Sequence, residues 1–233
     1  MKKATNTSPD RLVYQEMFEA ILAQRLLPGT KLTEDELSKI FSVSRTVVRR
    51  ALLRLSHDCI VDIRPNKGAT VARPTMQEAR EILEARRLVE GAIMRELTLK
   101  APELEQGLDE LRALVATEQE SFNHDDRTSG IRISGDFHLR LAAISGNRTL
   151  TNILTRLVPQ TSLVIAIYEK PGVLNCSHEE HFALIDAIAS GDTAKAADLM
   201  DEHLIGIENK LMLNEDQSPA DLQEVFAHLT RPR

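Results

Sequence analysis

Two short helical patterns joined only by Ser42-Val43 constrain this chain more than any other feature, because so tight a connection forces two helices to pack across a corner. The first pattern opens at Thr33, which with Glu36 makes a capping box, and its apolar face is Leu37, Ile40 and Phe41. Ser44 then caps a second helix whose buried stripe is Val48, Ala51, Leu52 and Leu55. Ahead of this pair, Tyr14, Met17, Phe18, Ile21 and Leu22 recur at helical spacing between Arg11 and Leu26, until Leu27-Pro28-Gly29 stops the helix. After it, Ile60–Ile63 and Ala69–Val71 flank the turn residues Pro65-Asn66-Lys67-Gly68 and read as a β-hairpin. A hairpin attached to a helix-turn-helix is a wing. Arg73-Pro74 closes this domain, expected over residues 1–74.

Charge separates this head from the rest. Residues 1–73 hold 13 Lys+Arg against 8 Asp+Glu, a net of +5, whereas the remaining residues hold 16 against 27, a net of −11. A basic head suits a polyanion; an acidic body does not. With two tyrosines and no tryptophan, stacking on single-stranded bases has little support, so duplex DNA is the expected partner. No uninterrupted apolar run approaches bilayer length, and the start MKKATNTSPD has no apolar stretch of a secretion signal, so the expectation is a cytoplasmic protein without a membrane partner. Cys59 and Cys176 read as thiols, not as a disulfide.

On the helix after Ser44, the side opposite the buried stripe carries Thr46 and Arg50, with Arg49 on its flank and Arg45 in the first turn. The arginine fork can grip guanine O6 and N7 or a phosphate, while Ser44 and Thr46 suit phosphate or base-edge hydrogen bonds. An ordinary solvated face is the bland alternative; the adjoining helix and wing weigh against it.

From Thr75, which with Glu78 opens a new capped helix, residues 75–233 read as helix throughout, giving a mainly α chain whose second domain is a bundle of six or seven helices. Breaks fall at Ala101-Pro102, Asn123–Gly130, Gly146-Asn147, Pro171-Gly172 and Gly191-Asp192. Three histidines occupy apolar stripes: His138 with Leu141 and Ala142, His181 with Leu184, Ile185 and Ile188, and His203 with Leu199, Met200 and Ile207. One inward histidine is ordinarily a hydrogen-bonded core residue, but three from three helices favour a divalent-metal site over structural histidines, with zinc or nickel suited to imidazole. Arg86 lies on the apolar side of its helix with Ile82, Val89 and Ile93; it either pairs with Glu90 at i+4 or offers its fork to an effector carboxylate. Asn147 caps the following helix and is a candidate to line the same pocket. A metal-dependent hydrolase with an auxiliary DNA-binding domain is the alternative, but the histidines of His178-Glu179-Glu180-His181 stand three apart where the HExxH motif needs four, and no nucleophile elbow or phosphate-binding glycine loop is present.

Tyr14 through Val71 resembles the GntR family of bacterial regulators, above all in Leu27-Pro28-Gly29-Thr30-Lys31-Leu32, Val43-Ser44-Arg45-Thr46, Val48-Arg49 and Asn66-x-Gly68-x-x-Val71. The resemblance implies operator contacts by Arg45, Thr46 and Arg49, and a wing tip at Lys67-Gly68 that reaches adjacent backbone or minor groove. The chain departs from the family at Val47, Arg50 and Cys59, where Pro, Glu and Gly are usual. Glu84-x-Arg86-x-x-x-Glu90, Phe137-His138, Ser145-Gly146-Asn147, Glu180-His181 and Met200-x-x-His203-Leu204 resemble the FCD sensor domain of the FadR subfamily. Many such domains hold a divalent metal with three histidines and an aspartate one turn before the first. Here that position is Ser134, and Asp136, two residues from His138, faces away on a regular helix. The implied site is three histidines plus a water or ligand oxygen, with Ser134, Arg86 and Asn147 toward an effector. The resemblance further implies an organic-acid or sugar-acid effector, repression relieved by it, and a homodimer joined through the sensor domain.

Overall fold

Pro9 takes the first helical position of α1 (Pro9–Leu22), a place where a missing amide costs nothing. The computed structural model describes residues 8–64, 68–169, 177–211 and 222–230. Helix α1 ends sooner than the periodicity suggests: Gln24 adopts φ 54°, and Leu26 is buried beyond the helix, in the turn. A two-residue strand β1 (Lys31–Leu32) leads into α2 (Glu34–Ile40), capped by the Thr33 hydroxyl, and α3 (Arg45–His57), capped by Ser44. The connection between them is pinned by the Ser38 hydroxyl, which donates to the Val43 carbonyl at 2.6 Å. Strands β2 (Val61–Arg64) and β3 (Gly68–Val71) pair antiparallel with Val61 opposite Val71 and Arg64 opposite Gly68. The sheet has a third member that periodicity did not reveal: β1 pairs with β3, giving the order β1-β3-β2. Two residues are too few for an alternation pattern, so only pairing identifies this strand.

The chain divides into two compact units, Met1–Arg73 together with Glu215–Arg233, and Pro74–Asn214. The sequence reading expected domains over residues 1–74 and 75–233; the two units divide beside Pro74, and residues from Glu215 onward group with the first unit. The short helices α10 (Leu222–Val225) and α11 (Ala227–Thr230) join the first unit. Phe226 is fully buried with its ring 5.1 Å from that of Phe41, and Arg25 donates to the Val225 carbonyl at 3.2 Å. An apolar residue at the C-cap of α2 is thus covered by an aromatic from the far end of the sequence.

The second unit is built from α4 (Met76–Leu99), α5 (Glu105–Asn123), α6 (Arg127–Ser145), α7 (Arg148–Tyr168), α8 (Ser177–Ala189) and α9 (Thr193–Lys210), with a 3₁₀ turn at Ala101–Glu103. Thr75 and Glu78 form the full reciprocal capping box at the start of α4. Gly146, at φ 79°, ends α6 in the left-handed conformation that an L side chain resists. Gly135 lets α6 lie close on α7: a Cβ there would stand 3.1 Å from Val158 and 3.2 Å from Ser162. That close approach sits one turn from His138. Helix α7 is long and apolar enough to cross a bilayer by length and composition alone, yet half of its most apolar window is buried, and it packs against α4 and α6. Its apolarity serves the bundle core. Cys176 and the expected break at Pro171-Gly172 lie outside the described residues.

Candidate nucleic-acid interface and histidine centre

Because α3 buries Val48, Ala51, Leu52 and Leu55, its opposite side must face solvent, and Ser44, Arg45, Thr46, Arg49 and Arg50 are all exposed. The Ser44 hydroxyl accepts the Val47 amide as the helix cap. Two of the arginines are engaged by acids from the first turn of α2. Arg45 Nε lies 2.6 Å from Asp35, while Arg49 donates Nε and Nη2 to the two carboxylate oxygens of Glu34, each at 2.7 Å. Arg49 hydrogen bonds hold the Glu34 carboxyl below its ordinary range, and the guanidinium is correspondingly harder to deprotonate. Arg50 has no hydrogen bond or ion pair among the described residues. Gly68 begins β3 at φ 82°, and Lys67 lies outside the described residues.

In the second unit the three histidines meet. His138 on α6, His181 on α8 and His203 on α9 are buried, and their candidate ligand nitrogens all lie within 4.8 Å of one another. Each ring is oriented by a carboxylate at Nδ1. Glu90 of α4 stands 2.5 Å from His138, Glu118 of α5 2.7 Å from His181, and Glu180 of α8 2.5 Å from His203. Phe137 stacks on His181 with ring centroids 4.0 Å apart, which limits how that imidazole can turn. Burial, together with the nearby Arg86 cation, pushes His138 down to about 3, and burial also lowers His203, so both are neutral at pH 7. A neutral imidazole that donates from Nδ1 has its lone pair at Nε2. The Nε2 atoms of His138 and His203 then face each other at 3.3 Å, and the buried Nε2 of His181 has no hydrogen-bond partner among the described residues.

This donor set fits a divalent cation. Nitrogens bound 2.0–2.1 Å from a tetrahedral ion lie about 3.3 Å apart, which is the separation observed for His138 and His203. Without a cation or a shared proton, two converging lone pairs repel. Carboxylates at Nδ1 are also the ordinary second partners of metal-binding imidazoles. Ser134, one turn before His138 on α6, is only part-buried, and Asp136 turns away to pair with Arg132 at 3.3 Å.

Arg86 is buried and donates Nε to Glu90 at 2.6 Å, so the i+4 pair anticipated from the sequence forms. Burial opposes ionisation of Glu90, but Arg86 and His138 more than offset it and hold its carboxyl far below the usual range. The pair does not exhaust the guanidinium: Arg86 Nη2 is buried without a partner among the described residues. Asn147 does cap α7, accepting the Leu150 amide at 3.2 Å. However, it borders a surface hollow with Glu96, Lys100 and Arg148, and Ser145 beside it lies seven residues from His138, roughly 10 Å along α6. It is therefore not grouped with the histidines.

Sequence reasoning found the three imidazoles but not all of their orienting acids. Glu118 could have been noticed: it follows Leu108, Leu111 and Val115 on one buried stripe of α5, where a carboxylate needs a buried partner.

Comparison with known proteins bears on both units. Residues 10–71 match the model for bacterial regulatory proteins of the gntR family, and residues 81–206 match the FCD domain. The Uxu operon regulator of Haemophilus influenzae is 28% identical over 230 residues, covering 89% of this chain and 82% of that protein. The HTH-type transcriptional repressor RspR of Escherichia coli is 31% identical over 137 residues, covering 54% of this chain and 60% of that one. Among solved structures, E. coli McbR/YncC superposes with a TM-score of 0.73 at 22% identity, over 87% of this chain and 98% of that one, a likeness of fold. The family and the two relatives matched by sequence are regulators, not enzymes, which sets the hydrolase alternative aside. With a winged helix-turn-helix ahead of a helical domain, and both family models matched in that order, this chain belongs to the GntR family of transcriptional regulators and carries an FCD domain.

Proposed function

We propose that this regulator is a cytoplasmic homodimeric repressor whose operator binding responds to a small carboxylate held beside a divalent metal in the FCD domain. The observation that carries this reading is the histidine centre: three buried imidazoles, each aligned by a carboxylate, converge with lone pairs that no donor among the described residues satisfies. His138, His181 and His203 would hold the ion, zinc or nickel, and Glu90, Glu118 and Glu180 keep their rings in the ligating tautomer. A bound cation would offer open coordination positions to an anionic ligand. Arg86, whose Nη2 has no partner among the described residues, lies in the same buried network and suits the carboxylate of an organic or sugar acid. Self-association is supported by Leu88 and Leu99, 74% and 79% exposed; eleven residues apart, they lie on one side of α4. A dimer would present two reading helices to a palindromic site. Repression follows the printed role of RspR.

Elemental analysis of protein purified without chelator tests the metal. About one equivalent of zinc or nickel per chain is expected, lost in each of the His138→Ala, His181→Ala and His203→Ala variants, and Ser134→Asp should tighten its retention against chelators. Protein without metal, or metal indifferent to the three substitutions, overturns the centre. Replacing Arg45 with Ala should weaken operator binding roughly tenfold to hundredfold while leaving metal content unchanged.

A further inference from the structure

Two of the arginines expected to read DNA are not free cations. Glu34 grips Arg49 side-on, through Nε and Nη2, and Asp35 takes Arg45 at Nε. Both acids belong to α2, so the contacts bridge the two helices of the helix-turn-helix. Acids in a first helical turn are favourable in any helix, which explains why Glu34 and Asp35 are tolerated there but not why they engage these arginines. The geometry has a chemical consequence. A guanidinium carries five N–H groups in one plane; with its Nε side occupied, the end formed by Nη1 and Nη2 still presents two parallel donors. Guanine O6 and N7 offer a matching pair of neutral acceptors in the major groove. A phosphate also fits that fork but brings a negative charge up to the Glu34 carboxylate, so the acid penalises backbone and leaves the base edge acceptable. Arg50, exposed on the same helix and without an ion pair among the described residues, shows the contrast: it is a cation suited to phosphate.

We propose that Glu34 is a specificity-determining positioning residue, holding Arg49 as a guanine reader rather than a phosphate clamp, and that Asp35 acts likewise on Arg45. This rests on the assignment of α3 as the reading helix. The test uses the full chain and two probes: selection of sites from a random-sequence duplex pool, and titration of one arbitrary duplex across a salt series. Wild type should select half-sites containing defined guanines. Glu34→Ala should bind the arbitrary duplex about threefold to tenfold more tightly, with a salt slope steeper by about one phosphate contact, and lose preference at one guanine per half-site. Arg49→Lys, which keeps charge without the fork, should lose the same guanine. Glu34→Gln should raise arbitrary-duplex binding while retaining part of that preference. If Glu34→Ala selects the wild-type site with unchanged discrimination and salt slope, the proposal is wrong while α3 remains the reading helix. A uniform loss of all binding would reduce Glu34 to a structural role and also overturn it. If wild type itself selects no sequence, the reading-helix assignment fails and takes the proposal with it.

Discussion

Arg49 with Glu34 on the exposed side of α3 and Arg86 with Glu90 in the helical bundle are the same ion pair in two solvents. Their closest contacts are alike, 2.7 and 2.6 Å, but the Arg49 side chain is 64% exposed and that of Arg86 only 2%. In water the attraction is weak, so the pair can adjust as the free end of the guanidinium meets another acceptor. Out of water neither member can be released, because each would leave an uncompensated charge. Adjustable pairs therefore suit recognition, whereas locked pairs suit a centre whose geometry must persist. The bundle extends the locked arrangement: Glu90 also orients His138, so one carboxylate joins a cation to a candidate metal ligand.

The largest expected effect is at Glu90. Its replacement by Ala strands Arg86 and frees the His138 ring, and should destabilise the second unit by about 3–5 kcal/mol, read from urea unfolding of metal-free protein. A loss no greater than that of a surface pair would erase the contrast between the two regions.

Acidification comes next. Glu90 has a depressed folded-state pKa, so its stabilisation is present above the unfolded value, about 4.3, and drains as pH falls through the folded one. His138, held at about 3 when folded against about 6.5 when unfolded, takes up its proton preferentially in the unfolded chain. Its contribution is thus complete above about pH 6.5 and is lost progressively toward pH 3. The urea midpoint of the metal-free bundle should fall steadily between pH 6.5 and 4.5, and this fall should be shallower in His138→Gln. A flat profile would show that the network is not locked.

A smaller effect belongs to the head. Cys59 stands at φ 57° between α3 and β2, at the position where Gly is usual in the family, and a side chain in that region costs about 1 kcal/mol. Cys59→Gly should stabilise the first unit by about that amount, measured by its thermal or urea transition. No gain would mean that the local structure has relaxed the strain.

The smallest effect should follow Glu34→Ala, which removes an exposed contact and should leave the unfolding midpoint of the head unmoved even as DNA selectivity changes. A clear loss of stability would make the exposed pair as structural as the buried one.

Features that depend on neighbours within a turn or two were legible in the sequence. The caps at Thr33, Ser44 and Thr75, the break at Gly146, the exposed side of α3 and the inward placement of His138, His181 and His203 all follow from local periodicity and backbone chemistry. The capping role of Asn147 was local too.

What only tertiary structure decided is partnership. His138 takes Glu90 from 48 residues away, His181 takes Glu118 from 63, and His203 takes Glu180 from 23. Phe226 returns from the end of the chain to Phe41, and β1 becomes a strand only because β3 lies beside it. Periodicity determines which side of an element faces inward, because that depends on the angle between successive residues. It carries no information about which polar groups will share an interior, since that choice is made by helices meeting in space and by the cost of leaving any buried donor, acceptor or charge without a partner.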